Sequence, residues 1–283
     1  MKFFCITNKN NSTSVLLLKK ACEERSVEFV TIDINSYDFS ESFNIDGNIL
    51  YRVTTGAKAK EIERNLVQND TITFYNTYKR VFMESQDTAI FEKNKLSVPK
   101  TIPDLPNNEK LLKKYADHLG GFPLVVKVLG KSHGIGVHKV NSFSELTSLS
   151  DKLNAKKDNS KIVMKKFIDI DHHARLIVLG DRVIGSIEYI AKDGEFRTNI
   201  GEPLVESRKF SVDVEKTAVE AVKMLDLEFG GVDILVDHDD NHYVAEVNFP
   251  CFFPRCQLVT KDDISGMMVD YLVSKAEKNN NER

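Results

Sequence analysis

No run in this chain approaches the roughly eighteen consecutive apolar residues that a membrane-spanning helix needs, so no anchor is expected. Its first apolar stretch, Met1 to Thr7, is too short for the core of a secretion signal and gives way at once to polar Asn8 to Ser14. Cysteine is sparse. Cys5, Cys22, Cys251 and Cys256 are too few and too scattered for a disulfide framework, and no CxxC spacing points to zinc. The chain therefore reads as reduced and cytoplasmic, with Cys251 and Cys256 either packing groups or reactive thiols. An excess of positive charge is also missing: 39 Lys and Arg against 42 Asp and Glu leave a net charge of −3, which argues against a nucleic-acid partner held by phosphate neutralisation. No GxGxxG follows the first strand, so a dinucleotide fingerprint is absent. Gly130-Lys131-Ser132 imitates the end of a phosphate-binding P-loop, but Val125 stands where that motif needs glycine and no helix follows at once.

What is present is enough for a sizeable core. The 283 residues, 41% hydrophobic and 29% charged, suit two or three compact lobes. From residue 1 to about 98, strand patterns at Lys2–Thr7, Glu28–Asp33, Asn48–Val53 and Thr71–Thr73 alternate with helical ones at Ser12–Arg25, Ala57–Val67 and Tyr78–Lys93. That order predicts a mainly parallel sheet covered by helices. Three prolines between Pro99 and Pro106 break the chain and force an extended connection.

Beyond the break, a helix at Asn107–Leu119 precedes the strand Leu124–Leu129, in which Lys127 needs an anionic partner because a lysine inside an apolar strand is costly. The turn from Gly130 to Val137 lets backbone N–H groups approach an anion, with Lys127 and Lys131 supplying charge, although many such turns hold nothing. Further on come a helix at Ser142–Asn154, a strand at Lys161–Ile168 and a hairpin over residues 172–187 turning at Gly180-Asp181. Neighbouring strand residues face opposite sides, so His172 and His173 do not read as one zinc site. A helix at Val212–Leu225 follows. The final helix spans Asp263–Lys275, and Lys278–Arg283 reads as a frayed tail.

The chain is organised around Gly230 to Arg255. Gly231–Val236 and Tyr243–Asn248 are strands joined by the polar turn Asp237–His242. Glu246 and Asn248 share a face, and a hairpin closed near Asp239 and Asp240 puts Asp233 roughly opposite Glu246. Three oxygen-bearing side chains on one face suit a hard cation such as magnesium; the alternative is ordinary solvated acids at strand ends.

The order of these features resembles the ATP-grasp ligases, and most closely those of the RimK type. The matching residues are Leu124-Val125-Val126-Lys127, Gly134-Ile135-Gly136-Val137, Arg175 before Val178-Leu179-Gly180-Asp181, Phe196-Arg197-Thr198-Asn199, Gly231-Val232-Asp233-Ile234-Leu235 and Glu246-Val247-Asn248. The resemblance implies an α/β chain with the ATP-grasp fold: a Rossmann-like lobe at 1–98, a small subdomain with the glycine-rich loop at 99–170 and a C-terminal subdomain with the metal site at 171–283. It implies ATP on Lys127, Gly134 and Gly136, with Lys166 and Phe167 at the adenine and His173 near the ribose. Arg175, Arg197 and Asn199 are then the catalytic groups, and Asp233, Glu246 and Asn248 hold two magnesium ions, or manganese in their place.

The implied activity is the joining of an amino acid or peptide through an acyl phosphate. A macrocyclase linking peptide side chains and a non-catalytic nucleotide-binding homologue are the alternatives. Neither a nucleic acid nor a membrane is among the implied partners, and a homo-oligomer is compatible. This chain departs from the family pattern in four places. Lys166 replaces an acidic residue, His173 an aspartate, and Glu84 a second ATP-contacting lysine for which Lys79 or Arg80 could substitute. The stretch Phe249 to Arg255 replaces a Ser-Pro-Gly turn, which makes the acceptor pocket more apolar, with Phe252 and Phe253 lining it or a subunit contact.

Overall fold

A computed structural model describes residues 1–41, 43–77, 87–130, 135–155, 160–191, 195–198, 201 and 203–281. In the N-terminal lobe β1 (Lys2–Thr7) lies between β2 (Glu28–Asp33) and β3 (Ile49–Arg52), all parallel. The helix α1 (Thr13–Glu24) buries Val15, Leu18, Ala21 and Cys22, which recur at the spacing of one helical face. Packed beside β1 and β3 is α2 (Ala57–Leu66). The expected strand at Thr71–Thr73 shrinks to one parallel bridge between Ile72 and Ile49. Of the expected helix from Tyr78, the described part is α3 (Asp87–Lys93). Lys79, Arg80 and Glu84 lie outside the described residues.

The proline-rich connection contributes a two-residue strand, β4 (Thr101–Ile102). It opens an antiparallel sheet ordered β4-β7-β5-β6, with β5 (Leu124–Val128), β6 (Val137–Val140) and β7 (Ile162–Lys166). Two helices back this sheet, α4 (Glu109–His118) and α5 (Phe143–Asn154), over a core that includes Leu112, Leu124, Val126, Leu146 and Met164. Each helix starts where a side chain satisfies a free backbone N–H. The Asn108 side chain accepts from Leu111 N, and the Ser142 hydroxyl accepts from Glu145 N.

A five-stranded antiparallel sheet completes the chain, in the order β10-β9-β8-β11-β12. Its strands are β8 (Ile170–Leu179), β9 (Arg182–Ile190), β10 (Leu204–Ser207), β11 (Phe229–Asp237) and β12 (His242–Asn248). Ala174, Leu176, Val178, Val232 and Ile234 on one face pack into a core shared with α6 (Val212–Met224). On the other face Ile177, Leu179, Ile187 and Phe229 share a core with Phe3, Tyr51 and Phe74 of the first lobe. Two further helices, α7 (Pro254–Thr260) and α8 (Ile264–Asn281), close that side. The chain is helical through Lys278 to Asn281, where a frayed tail is expected, because Met268, Val269, Leu272 and Ala276 anchor α8 in the core. Among the described residues no helix is long and apolar enough to cross a membrane.

Candidate functional site

Alternation along β8, β11 and β12 sends His173 and Arg175, Asp233 and Leu235, and Glu246 and Asn248 to one face of the large sheet. The register sets Asp233 opposite Arg175 on one side and opposite Glu246 on the other. A bulge after Asp233 makes this pairing: Ile234 pairs with Val244, so Ala245 is the extra residue and Glu246 keeps its place beside Asp233. Gly231 leaves room for the group. A Cβ there would stand 2.3 Å from Cys251 Sγ and 3.2 Å from Arg175 Nη1.

The guanidinium of Arg175 grips Asp233 with two hydrogen bonds, Nη2 donating to Oδ2 at 2.8 Å and Nε to Oδ1. Asp233 itself is only 2% exposed. The Asn248 amide lies 3.2 Å from Glu246 Oε1 and 3.5 Å from Asp233 Oδ2, joining the two carboxylates. From the opposing small sheet, Lys127 Nζ donates to Glu246 Oε2 at 2.7 Å. Burial works against ionisation of Glu246, but Lys127, backed by Arg175 and Asn248, holds its carboxyl down at about 2. The lysine that needs an anion and the acidic hairpin thus answer each other, 119 residues apart in the chain.

The two sheets enclose a cavity of about 420 Å³. Its small-sheet wall carries more cationic charge than the sequence reading assigns. Val125 pairs with Lys139 on β6 and with Lys165 on β7, so both lysines share the face of Lys127. All three line the cavity. Burial, followed by the nearby Lys127 ammonium, pulls Lys165 down to about 8. The ammonium of Lys139 stands 3.9 Å from the centre of the Phe167 ring. Lys166 and Phe167 both line the cavity. Lys165 lines the cavity beside Lys166 and is absent from the sequence expectation; strand alternation together with the register to Val125 finds it. Asp87, at the first turn of α3, also lies near enough to Glu246 for its carboxyl to be raised, by burial first and then by that charge.

His173 is buried, and its Nδ1 meets the Thr198 hydroxyl. Nε2 has no hydrogen-bond partner and lies 3.9 Å from Asp233 Oδ1. Burial lowers the imidazole pKa, with Asp233 opposing. His172 instead bonds Glu188 at 2.6 Å. Arg197 lines the cavity while pairing with Glu195 at 2.7 Å. Gly136 adopts φ 81°, the left-handed conformation that glycine tolerates, and its carbonyl accepts from Val128 N at 2.9 Å. Gly134 and Asn199 lie outside the described residues.

The stretch from Phe249 to Arg255 divides its aromatic residues. Phe253 is fully buried and Phe252 is 58% exposed, so the two do not act as a pair. Phe249 lies within about 6 Å of Tyr51, Tyr75 and the Arg52 guanidinium of the first lobe. Cys251 and Cys256 are buried, their thiols pushed up to about 11 and about 12, chiefly by burial, which fits packing and not reactivity. A larger cavity of about 730 Å³ lies between α1 and α7, but it contains none of the cationic or carboxylate groups above. Chemistry, not size, selects the cleft.

The donor set fits a hard cation brought with phosphates: two carboxylates joined by an amide side chain, with cationic groups across a narrow gap. The orphaned His173 Nε2 adds a buried polar atom still lacking a partner. A model of the RimK-like ATP-grasp domain matches residues 85–272. Over 99% of its length the chain is 26% identical to a probable alpha-L-glutamate ligase of Vibrio parahaemolyticus, covering 98% of that protein. Its identity to the counterpart from Photobacterium profundum is 29% at the same coverage. In fold it is similar to the ATP-grasp ligase PsnB, solved with a phosphomimetic variant of its minimal precursor, magnesium and ADP (TM-score 0.74, 16% identity, 97% of this chain and 99% of that one). It also resembles the macrocyclase MdnC of Microcystis aeruginosa bound to precursor peptide MdnA (TM-score 0.72, 16% identity, 97% and 100%).

Proposed function

Because the chain belongs to the RimK-like ATP-grasp family, we propose that it is an ATP- and magnesium-dependent ligase joining a carboxylate to an amine. The observation that carries this is the contact of Lys127 with Glu246 across the cleft, beside Asp233, Arg175 and Asn248 on one face. Lys127, with Lys139 and Lys165 behind it, neutralises the triphosphate. Lys166, Phe167 and His173 take the base and ribose end, with Gly134 and Gly136 serving the phosphates by the family pattern. Asp233, Glu246 and Asn248 would hold magnesium, two ions by the family pattern, and the metal would supply positive charge against the phosphates.

A carboxylate oxygen of the substrate attacks the γ-phosphorus, ADP leaves, and an acyl phosphate forms. The amine then adds to the acyl carbon and expels inorganic phosphate. Arg175, with Arg197 and Asn199 from the 196–199 loop, positions the carboxylate and phosphoryl oxygens. The substrate is an amino acid or a peptide, the chemistries named for the relatives and for the structural neighbours. Residues 1–98, 99–170 and 171–283 act as three units, in the cytoplasm.

The test is calorimetric binding of a non-hydrolysable ATP analogue, with and without magnesium, to the wild type and to Asp233→Ala. Magnesium-dependent binding lost in the variant is the expected result. Binding that ignores both magnesium and Asp233 would overturn the assignment of the metal site.

A further inference from the structure

The segment between Arg25 and Arg52 contains no lysine, arginine or histidine but five acidic residues, Glu28, Asp33, Asp38, Glu41 and Asp46. Glu28 pairs with Lys2. Among the described residues, the other four have no cationic partner; Asp33 and Asp38 are bonded to neighbouring Asn35 and Ser40. Within this loop the rings of Tyr37, Phe39 and Phe43 form a cluster, Tyr37 edge-on to Phe39 at 4.8 Å and stacked with Phe43 at 5.7 Å. The outer two rings are left in solvent, Phe39 at 47% and Phe43 at 41% exposure. A soluble surface rarely displays clustered aromatic rings without a use for them, and rings interleaved with unpaired carboxylates offer two attractions to the same kind of group. Carboxylates draw a cation by charge, and ring faces hold it by cation–π attraction.

We infer that this aromatic, acidic loop is the docking surface for a basic, apolar segment of a peptide substrate, its Lys or Arg side chains lying on Phe39 and Phe43 beside Asp38 and Glu41. The inference rests on the peptide-ligase reading for the identity of the occupant. Charge complementarity selects a cationic partner, and the raised, exposed rings suit a chain segment better than a small molecule, since they line neither the cleft nor the groove beside α1. The loop leaves the carboxyl end of β2 and returns to the amino end of β3.

The probe is a fluorescein-labelled peptide alternating lysine with leucine and phenylalanine, compared with the same peptide carrying glutamate for each lysine. Anisotropy is read on the full chain, on Phe39→Ala/Phe43→Ala and on Asp38→Asn/Glu41→Gln, all at exposed positions. The lysine peptide binds and weakens with added salt, the glutamate peptide does not bind, and each double variant loses roughly tenfold in affinity. Equal binding of the two peptides, or binding that neither double variant weakens, overturns the proposal. So does a wild-type dimer that the variants convert to monomer in sedimentation, since the occupant would then be a second copy. Magnesium-dependent binding of the ATP analogue, measured on the same preparations, reports on the ligase reading separately: its loss with peptide binding intact indicts the cleft, and the converse indicts the loop.

Discussion

Among the described residues two guanidinium–carboxylate pairs are deeply buried, and one of them opens onto the cleft. In the first lobe Arg52 Nε donates to Glu63 Oε2 at 2.7 Å and Nη1 to the Thr54 carbonyl at 2.8 Å, with both side chains 1% exposed. In the cleft Arg175 grips Asp233. Each arginine lies near an aromatic ring, Phe249 for Arg52 and Tyr189 for Arg175. The difference lies in what adjoins them. Arg52 and Glu63 are sealed, with Arg52 Nη2 left without a partner, whereas Asp233 continues through Asn248 and Glu246 to Lys127 and a cavity. A buried ion pair by itself marks only a costly interior, which must stay paired. A pair that continues into a network facing a cavity can exchange partners, and that is the mark of a working site.

The sharpest break between the two comes from removing one carboxylate from each. Glu246→Gln should abolish ligation, by about 10³-fold or more in ADP release, while the unfolding midpoint in urea moves little because the group borders a cavity. Glu63→Ala should do the reverse. Stranding Arg52 in the core costs about 3–5 kcal/mol in urea unfolding, and nucleotide affinity measured below the transition holds. Equal stability losses in the two variants would erase the distinction.

Smaller effects sharpen it. Lys165→Gln should weaken the ATP analogue roughly tenfold in calorimetry, the worth of one hydrogen bond to a charged group, with the unfolding midpoint unchanged or raised because a buried charge is gone. Gly231→Ala drives a methyl group into Cys251 and Arg175 and should cost about 1–3 kcal/mol in stability together with activity.

The smallest effect is in pH. In metal-free protein Glu246 is depressed to about 2 from an ordinary 4.5, so the unfolded state binds more protons between these values and stability rises with pH across that window. Burial raises Glu63 against the pull of Arg52, so its contribution has the opposite slope, falling as pH rises above 4.5. Urea midpoints of wild type, Glu246→Gln and Glu63→Gln from pH 3 to 6 should show the two slopes removed separately.

Much of this was legible in the sequence where local pattern and chemistry agree. Alternation in β11 and β12 with a polar turn between them placed Asp233 by Glu246, and β1 and β2 begin and end as their patterns predict. What stayed hidden depends on distant partners. Lys165 looks like any lysine beside Lys166 until the pairing of β7 with β5 turns it toward Lys127. Arg52 and Glu63 carry no signal of burial, since one ends a strand and the other sits in a charged helix; only the closing of α2 onto β3 seals them. The short strand β10 and the helix α7 also went unread. β10 exists by pairing with β9, and α7 starts at Pro254, whose fixed φ suits a first helical turn although the flanking aromatics suggest an extended loop.

The contact between Lys127 and Glu246 also couples the binding of a triphosphate to that of a cation. Each holds the other's charge, so a triphosphate arriving alone would claim the lysine and leave a carboxylate beside its own negative charge. A cation arriving alone would claim the glutamate and leave the lysine facing it. Only the two together give every group a new counterpart. Nucleotide and metal should therefore show positive linkage, each raising the affinity for the other by the same factor, with much of that coupling carried by this one ion pair.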